Sequence, residues 1–286
     1  MTASSSPKTA LVTGATNGIG KVTALELARQ GYQVLITTRD VARGKRVLDE
    51  LRAQSENPAL DLLVCDLSSM EDVRRIALEV RGRHEKLDVL VNNAGGVFKE
   101  RHETLDGFEY TFAFNHLAYF LLTHLLLSTL KTAGQARVVS VSSSANALGR
   151  MHWDDLQLTR GYSPITAYAQ SKLMNVLFAN ALARRLQGTG ITSNSLHPGR
   201  VRSNFGQDLT GLSRIIFNLN SFSAVTPEQG AQTSVYLATS ADVANVTGTY
   251  FQNKKPRRAN SVAYDESAQE RLWMHSEALL SKWLVP

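Results

Sequence analysis

The sequence predicts an α/β fold in which about seven parallel strands form one doubly wound sheet with helices on both faces. Short β-rich runs alternate with longer segments of helical periodicity, a pattern typical of βαβ units joined by right-handed crossovers. A glycine-rich turn follows the first run and precedes the first helical segment. Because a sheet covered on both faces easily absorbs 286 residues, we expect a single domain over residues 1–286.

Seven segments are predicted as strands because each is short, rich in apolar or β-branched residues and bounded by turns or helical segments. In chain order they are Lys8–Thr13, Gln33–Thr38, Asp61–Cys65, Val89–Asn92, Arg137–Ser142, Thr192–Leu196 and Thr249–Gln252.

Segments with helical periodicity occupy the intervals between these strands. The first predicted helix ends at Gly31, the usual place for a C-terminal glycine. The later helices are predicted over Ala42–Ser55, over Met70–His84, around Asn115 and over Tyr168–Gln187. Two long aperiodic stretches are expected at the carboxyl edge of the sheet, where doubly wound proteins bind ligands. They are Asn146–Ile165 and Arg202–Val225.

The composition is that of a globular protein without a disulfide framework. Hydrophobic residues make up 43%, charged residues 20%, and the formal net charge is +6. Cys65 is the one cysteine, which predicts a reducing compartment and a cytoplasmic location. The densest basic run, Lys254–Arg258, is interpreted as a solvated loop, with a phosphate or anionic-membrane patch as the alternative. No aromatic residue interleaves this run, so no nucleic-acid partner is expected.

Neither a signal peptide nor a membrane span is predicted. Met1–Pro7 has no apolar core, and polar residues interrupt the longest apolar stretch, Leu117–Leu130. That stretch falls short of the roughly 20 apolar residues that a spanning helix needs. We therefore expect no integral membrane segment, while contact with a membrane surface stays open. The seven histidines lack metal-ligand spacing, so no metal site is expected.

The turn between the first strand and the first helix is suited to a dinucleotide. Gly14 permits the tight turn, Gly18 lets the backbone approach a pyrophosphate, and Gly20 allows close packing of helix on strand. Backbone amides and the positive end of the helix then face the phosphates. This context predicts a Rossmann-type fold. The predicted cofactor contacts in the turn are Gly14, Thr16, Asn17, Gly18, Ile19 and Gly20.

The end of the second strand favours NADP(H) over NAD(H). A carboxylate at this point holds the ribose 2′-hydroxyl of NAD, whereas an arginine accommodates the 2′-phosphate of NADP. Thr38 ends the strand, and the guanidinium of Arg39 can bind a phosphate bidentately. Asp40 leaves an alternative open, since its carboxylate could reach the ribose.

Tyr168 and Lys172 lie four residues apart on a predicted helix and so share one face. Carbonyl reduction needs a proton donor for the developing alkoxide, and alcohol oxidation needs the reverse. We expect the Lys172 ammonium to lower the pKa of Tyr168 from about 10 towards the range useful for proton transfer. Ser142, Ser143 and Ser144 end the fifth strand, and strand alternation does not decide which of them would polarise the substrate oxygen.

Motifs along nearly the whole chain resemble those of the short-chain dehydrogenase/reductase family of the classical type. They are Gly14-x-x-x-Gly18-x-Gly20, Asp66-Leu67, Asn92-Asn93-Ala94-Gly95, Asn115, Tyr168-x-x-x-Lys172 and Pro198-Gly199. The resemblance implies a cofactor half over about residues 8–140 and a catalytic and substrate half over about 141–286. The further cofactor contacts that it implies are Asp66, Leu67, Asn92, Ala94, Gly95, Tyr168, Lys172, Pro198, Gly199 and Val201.

The resemblance also implies four catalytic roles. Tyr168 is the acid/base, and Ser143 is the serine that polarises the substrate oxygen. Lys172 hydrogen-bonds the nicotinamide ribose, and Asn115 holds a water that links Lys172 to solvent. For Asn115, a buried amide that satisfies helix backbone remains the alternative.

Several segments are similar to the retinol-dehydrogenase-like branch of this family. They are Ser171–Leu177, Leu186–Gly190, His197–Gly199, Thr226–Ala231 and Glu270–Trp273. The sequence departs from that branch at Ser140, where asparagine is common, and it shows no N-terminal membrane anchor of the kind common there.

The sequence therefore predicts an NADP(H)-dependent oxidoreductase that interconverts a carbonyl compound, an aldehyde or ketone, and an alcohol by hydride transfer. Apolar residues within Arg202–Val225 favour a small lipophilic substrate, although the same composition equally fits a lid packed on the core. One alternative is a catalytically silent NADP(H)-binding redox sensor. Another is a carbon–carbon double-bond reductase of the protochlorophyllide-reductase kind, for which Cys65 offers no thiol near the expected site. The resemblance leaves a homodimer open, through the helices that carry Asn115 and Tyr168.

Overall fold

The computed structural model describes residues 7–199 and 225–285, which contain one eight-stranded sheet of order β3-β2-β1-β4-β5-β6-β7-β8. The first seven strands are parallel to their neighbours. Strand order reverses between β1 and β4, which makes the sheet doubly wound, as predicted. The strands are β1 (Thr9–Val12), β2 (Gln33–Thr38), β3 (Leu60–Val64), β4 (Val89–Asn92), β5 (Arg137–Val141), β6 (Thr192–His197), β7 (Tyr250–Gln252) and β8 (Lys255–Arg257).

Helices cover both faces of the sheet. They are α1 (Gly18–Arg29), α2 (Val41–Ser55), α3 (Met70–Arg83), α4 (Tyr110–Phe112), α5 (Ala118–Leu125), α6 (Leu127–Thr132), α7 (Pro164–Arg185), α8 (Pro227–Thr239) and α9 (Glu266–Leu284). A π-helical turn over Ala113–Leu117 joins α4 to α5. Two 3₁₀ turns, Ser144–Leu148 and Ser261–Tyr264, lie near the carboxyl side of β5 and before α9.

Alternation along the strands divides the core into two layers. In β4, for example, Leu90 packs with α3, α5, α7 and α9, whereas Val89 and Val91 pack with α1, α2 and α8. All three side chains are almost completely buried. Burial on both sides explains why the parallel strands are near-continuous apolar runs.

The helix that carries Tyr168 begins earlier than predicted. The Ser163 hydroxyl accepts a hydrogen bond from the Thr166 amide at 3.5 Å, and Pro164 occupies the first turn, where no amide donor is needed. The helix therefore extends over Pro164–Arg185, and Tyr168 lies in its second turn.

The prediction that the basic run Lys254–Arg258 forms a loop is wrong. Its central residues form β8, which pairs antiparallel with β7, with Gln252 opposite Lys255. Asn253 and Lys254 both adopt positive φ, at 51° and 59°, as the two central residues of a type I′ hairpin turn do. The run is nevertheless solvated, because all three residues of β8 are exposed.

Val201 and all of the predicted stretch Arg202–Val225 except Val225 lie outside the described residues. Among the residues that the structure describes, no helix is both long enough and apolar enough to cross a membrane. In the same residues, His, Cys, Asp and Glu side chains form no group of three or more that could hold a metal ion.

Candidate active site

The carboxyl ends of β1, β4, β5 and β6 stand side by side in the sheet. The glycine turn follows β1, the segment Asn93–Gly95 follows β4, the serines follow β5, and Pro198-Gly199 follows β6. Since the ends of parallel strands meet at one edge, the sheet brings these separate motifs together at the switch point.

Gly14 is required where the glycine turn crosses the segment after β4. Its φ is +64°, and a Cβ there would lie 2.9 Å from the Cα of Ala94. Its amide donates to the Thr37 hydroxyl at 3.1 Å. The Gly20 Cα faces Asn93 so closely that a Cβ would overlap the Asn93 amide group. The first and third glycines thus allow two loops to pack together.

Thr13 and Asn93 hold these two loops together, and sequence reasoning assigned a role to neither of them. The Thr13 hydroxyl accepts hydrogen bonds from the amides of Asn93 and Ala94 at 2.8 and 3.0 Å. The Asn93 side chain donates to the carbonyl oxygens of Thr13 and Gly14 at 2.8 and 3.3 Å. Their positions beside Gly14 and within the N-N-A-G segment were the available signal.

The start of α1 fits a phosphate group. Among the described residues, the Asn17 side chain makes no capping hydrogen bond, and the first turn of α1 carries no acid. A Cβ at Gly18 would meet no atom of the described chain within 4 Å, so the backbone is open to a close approach. Uncapped amides at the positive end of a helix are the donors that bind pyrophosphates. Thr16, Gly18 and Ile19 are half-buried and Asn17 is exposed.

The alternatives at the end of β2 are separated by the role of Asp40. Its carboxylate accepts the Arg43 amide at 3.0 Å and caps α2, and its own amide donates to the Thr38 hydroxyl at 3.1 Å. The Arg39 side chain is exposed, and its Nη1 lies 3.5 Å from the Tyr110 hydroxyl. Arg39 is thus the available charged group at this strand end.

The predicted cofactor contacts after β3 and at the end of β4 differ in burial and in hydrogen-bond partners. The Asp66 carboxylate accepts both the amide and the hydroxyl of Ser68, at 2.9 and 2.7 Å, and Leu67 is buried. Asn92 is completely buried, and its amide group donates to the Thr123 hydroxyl at 2.9 Å. The structure therefore places Asn92 in the core beneath α5 rather than at the surface of the turn.

Tyr168 and Lys172 meet in a buried setting. The Lys172 Nζ lies 5.6 Å from the centroid of the Tyr168 ring and donates to the Val141 carbonyl at 3.1 Å. Burial lowers the pKa of Lys172 to about 7. A Cβ at Gly95 would lie 2.9 Å from this Nζ, so a side chain there would displace the amine of Lys172.

The expectation that Lys172 lowers the pKa of Tyr168 is wrong. Burial raises the pKa of Tyr168 to about 12, and a hydrogen bond with Ser143 offsets this only in part. Desolvation penalises the phenolate more than its neighbours stabilise it. At neutral pH the structure therefore favours a protonated Tyr168.

The structure separates the three serines that follow one another at the end of β5. The Ser142 hydroxyl is buried and donates to the Lys172 carbonyl at 2.7 Å. Ser144 is exposed. Ser143 is half-buried, and its hydroxyl interacts with that of Tyr168 while accepting the Ala145 amide at 3.2 Å. Ser143 is the serine that stands beside Tyr168.

Asn146 anchors the segment that carries Ser143, and no motif in the sequence pointed to it. Its buried amide nitrogen donates to the Ser143 carbonyl at 2.6 Å and to the Tyr250 hydroxyl at 3.0 Å. Its side-chain oxygen accepts the Asn260 amide at 3.0 Å. Because Tyr250 and Asn260 lie more than 100 residues away along the chain, only the tertiary fold reveals these contacts.

Asn115 lies in the π-helical turn and is completely buried. Its side chain accepts from the Gly96 amide and donates to the Gly96 carbonyl, both at 2.9 Å. It also donates to the Ser171 hydroxyl at 2.9 Å. The side chain thus joins the segment after β4 to α7 through a loop backbone and a side-chain hydroxyl, and none of these three hydrogen bonds satisfies helix backbone.

The remaining positions considered from the sequence are Pro198 and Gly199 after β6 and Cys65 after β3. Pro198 and Gly199 are half-buried after β6, and Gly199 has a φ of +88°. Cys65 follows β3, is 2% exposed, and has its thiol pKa raised by burial.

Comparison with known proteins gives the family. A family model described as short chain dehydrogenase matches residues 8–211. Human retinol dehydrogenase 13 is 40% identical over 280 residues, which cover 96% of this chain and 84% of that protein. A solved protein of Mycobacterium paratuberculosis superposes with a TM-score of 0.77 at 32% identity, covering 98% of this chain and 97% of that one.

The active-site complex of RhlG with NADP from Pseudomonas aeruginosa has a TM-score of 0.68 at 27% identity, covering 85% and 93% of the two chains. These matches agree with the order of motifs along the chain and with the parallel sheet. The chain belongs to the short-chain dehydrogenase family, in the branch of the retinol dehydrogenases.

Proposed function

We propose that this protein is an NADP(H)-dependent oxidoreductase that interconverts a lipophilic aldehyde or ketone and the corresponding alcohol. The observation that carries the proposal is the convergence of Tyr168, Ser143 and Lys172 beside the dinucleotide-type turn. Ser143 follows β5, whereas Tyr168 and Lys172 lie on α7, and the three side chains meet at the carboxyl edge of the sheet.

The bound nicotinamide would supply the hydride in reduction and accept it in oxidation. The residues that would hold the dinucleotide are those of the glycine turn, Arg39, the segment after β4, and Lys172. Tyr168 would donate its proton to the carbonyl oxygen as negative charge develops there, and Ser143 would hydrogen-bond the same oxygen. Asn115 would act as a positioning residue, because it fixes Gly96 against Ser171.

The raised pKa of Tyr168 keeps its hydroxyl protonated, which is the state that carbonyl reduction requires. A phenol whose pKa is about 12 holds its proton at neutral pH, ready to give it to an alkoxide. Lys172, with a pKa of about 7, exchanges its proton readily near neutral pH. Oxidation would need a further influence on Tyr168 to stabilise its phenolate.

NADP(H) is favoured as the cofactor because Asp40 and Arg39, at the end of β2, have different roles. Asp40 is engaged in capping α2, which leaves Arg39 exposed to pair with a 2′-phosphate. RhlG, solved with NADP, supports this preference by analogy. A lipophilic substrate is supported by the relative named for retinol.

The two alternative functions differ in their support. A silent NADP(H)-binding sensor would have no need of both Tyr168 and Lys172, which this chain keeps. A double-bond reductase that uses a thiol donor is disfavoured because Cys65 is buried after β3. The single domain, the homodimer and the cytoplasmic location remain predictions.

The proposal is tested by following NADPH and NADH oxidation with a panel of retinal, medium-chain aldehydes, steroids and quinones. We expect carbonyl-dependent oxidation of NADPH, fastest with apolar substrates and slower with NADH. Equal or better use of NADH would reject the cofactor assignment. Tight NADPH binding without turnover of any carbonyl would favour the sensor.

A further inference from the structure

The hairpin formed by β7 and β8 carries a concentrated positive charge that the proposed chemistry does not use. Lys254, Lys255, Arg257 and Arg258 are all exposed. Residues 243–264 contain no aspartate or glutamate. Within 7–199 and 225–285, none of the four cations forms an ion pair, although many other arginines of the chain do. The hairpin is thus a surface of uncompensated charge.

Apolar side chains stand next to this charge. Leu148 is 76% exposed and Tyr264 is 42% exposed. Tyr264 lines an open concavity of about 440 Å³ together with Pro256, Arg257 and Arg258. Mixed basic and apolar exposure is the composition of surfaces that bind at the headgroup level of a bilayer.

The strand register places Lys255 and Arg257 on one side of the sheet. Arg257 pairs directly with Tyr250, so the two side chains share a face, and Lys255 lies on that face two residues away. Tyr250 is the residue whose hydroxyl bonds Asn146 in the 3₁₀ turn Ser144–Leu148. Lys255, Arg257 and the exposed Leu148 therefore belong to the same side of the molecule.

Asn260 fixes this arrangement to the candidate active site. Its side-chain nitrogen donates to the carbonyl oxygens of Asn146 and Gly149 at 3.2 and 3.0 Å, on both sides of Leu148. The same 3₁₀ turn begins directly after Ser143. Leu148 and Ser143 thus lie at the two ends of one short, hydrogen-bonded segment.

We propose that Leu148, Tyr264 and the four cations of the hairpin form a docking surface for a bilayer containing anionic phospholipids. Positive charge attracts the lipid phosphates and carboxylates, and the apolar side chains enter the headgroup region. The surface would hold the carboxyl edge of the sheet close to the membrane, where a lipophilic substrate dissolves. This inference goes beyond the proposed function, and vesicle binding is measured without turnover, so each can fail separately.

The test is flotation of the purified chain with vesicles of phosphatidylcholine alone or of phosphatidylcholine with phosphatidylserine. We expect binding to the anionic vesicles only, weakened by high salt. A basic residue near an anionic surface contributes about fivefold to the partition coefficient, so Lys255→Gln with Arg257→Gln should weaken binding about 25-fold. Leu148→Ser should weaken it in a manner that salt does not change.

The matched control is Arg81→Gln with Lys131→Gln, which removes two exposed charges from distant helices. It should change anionic-vesicle binding far less than the hairpin double variant. Turnover of a water-soluble carbonyl should be the same in the hairpin variant and the wild type.

Three results would overturn the proposal. The first is equal binding to neutral and anionic vesicles, or to neither. The second is unchanged vesicle binding in the hairpin variant accompanied by new aggregation in light scattering. Lys and Pro on an edge strand would then serve only to prevent edge-to-edge pairing. The third is displacement from the vesicles by duplex DNA, which would identify a nucleic-acid surface.

Discussion

Replacing Lys172 with methionine should stabilise the fold while removing a residue of the candidate site. Lys172 is 2% exposed, and burial lowers its pKa to about 7. Relative to an unfolded lysine near pKa 10.4, that shift corresponds to about 4 kcal/mol of penalty at neutral pH, at 1.36 kcal/mol per pKa unit. Loss of the hydrogen bond to Val141 offsets roughly 1 kcal/mol of the gain. We therefore expect the free energy of unfolding to rise by about 2–3 kcal/mol.

The gain depends on pH in a direction that the pKa fixes. Because the folded pKa is depressed, the unfolded chain binds more protons between about pH 7 and pH 10.4, and wild-type stability rises with pH there. The penalty is full below pH 7 and absent above about pH 10.4. The advantage of the methionine variant should therefore shrink to about 1 kcal/mol or less by pH 9.5.

Urea unfolding of the cofactor-free wild type and Lys172→Met at several pH values between 6.5 and 9.5 measures this difference. Staying below pH 10 keeps the raised pKa of Tyr168 from contributing. A variant less stable than wild type at neutral pH, or a gain that is independent of pH, would refute the reasoning that Lys172 is held in an unfavourable buried environment.

Three further predictions concern the cofactor, the serine and the cysteine. Arg39→Gln should weaken NADPH binding about 10–100-fold, as expected for a lost charge-assisted hydrogen bond, and leave NADH binding unchanged. Arg46→Gln is the matched control, and equal losses of affinity for both cofactors would contradict the assignment of Arg39. Asn146→Ala should lower kcat about tenfold or more with little change in KM, because Ser143 is no longer held in place. The control Asn180→Ala removes a buried amide that donates to the Ala263 carbonyl, and an equal loss of kcat in that variant would indicate a general structural effect. Cys65 should resist alkylation in the native chain and react in urea, since its thiol is buried with a raised pKa, and fast native labelling would show that the segment after β3 opens.

Much of the fold could be predicted because its signals are local. The strands are short apolar runs, and the glycine turn joins β1 to α1 as expected. β8 was missed because it is only three residues long, contains Pro256 and lacks apolar alternation. Its pairing depends on positive φ at Asn253 and Lys254, which few non-glycine residues adopt. The π-helical turn at Asn115 likewise has no periodic signature.

The sequence suffices to propose the members of the candidate site, but not their electrostatics. Spacing places Tyr168 and Lys172 on one helical face, yet it says nothing about how deeply either is buried. Burial decides the sign of the Tyr168 shift, and it depends on residues from several elements. The choice of Ser143 over Ser142 also rests on a tertiary contact, because Ser142 is engaged by the Lys172 carbonyl.

Turnover of Tyr168→Phe with NADPH and a carbonyl substrate tests the central claim most directly. The substitution removes the hydroxyl and keeps the ring that packs beside Lys172. We expect kcat to fall by about 10²–10⁴-fold, the usual contribution of a positioned acid, with NADPH affinity changed by no more than about twofold. Turnover close to that of the wild type, with NADPH bound equally well, would contradict the assignment of Tyr168 as the proton donor.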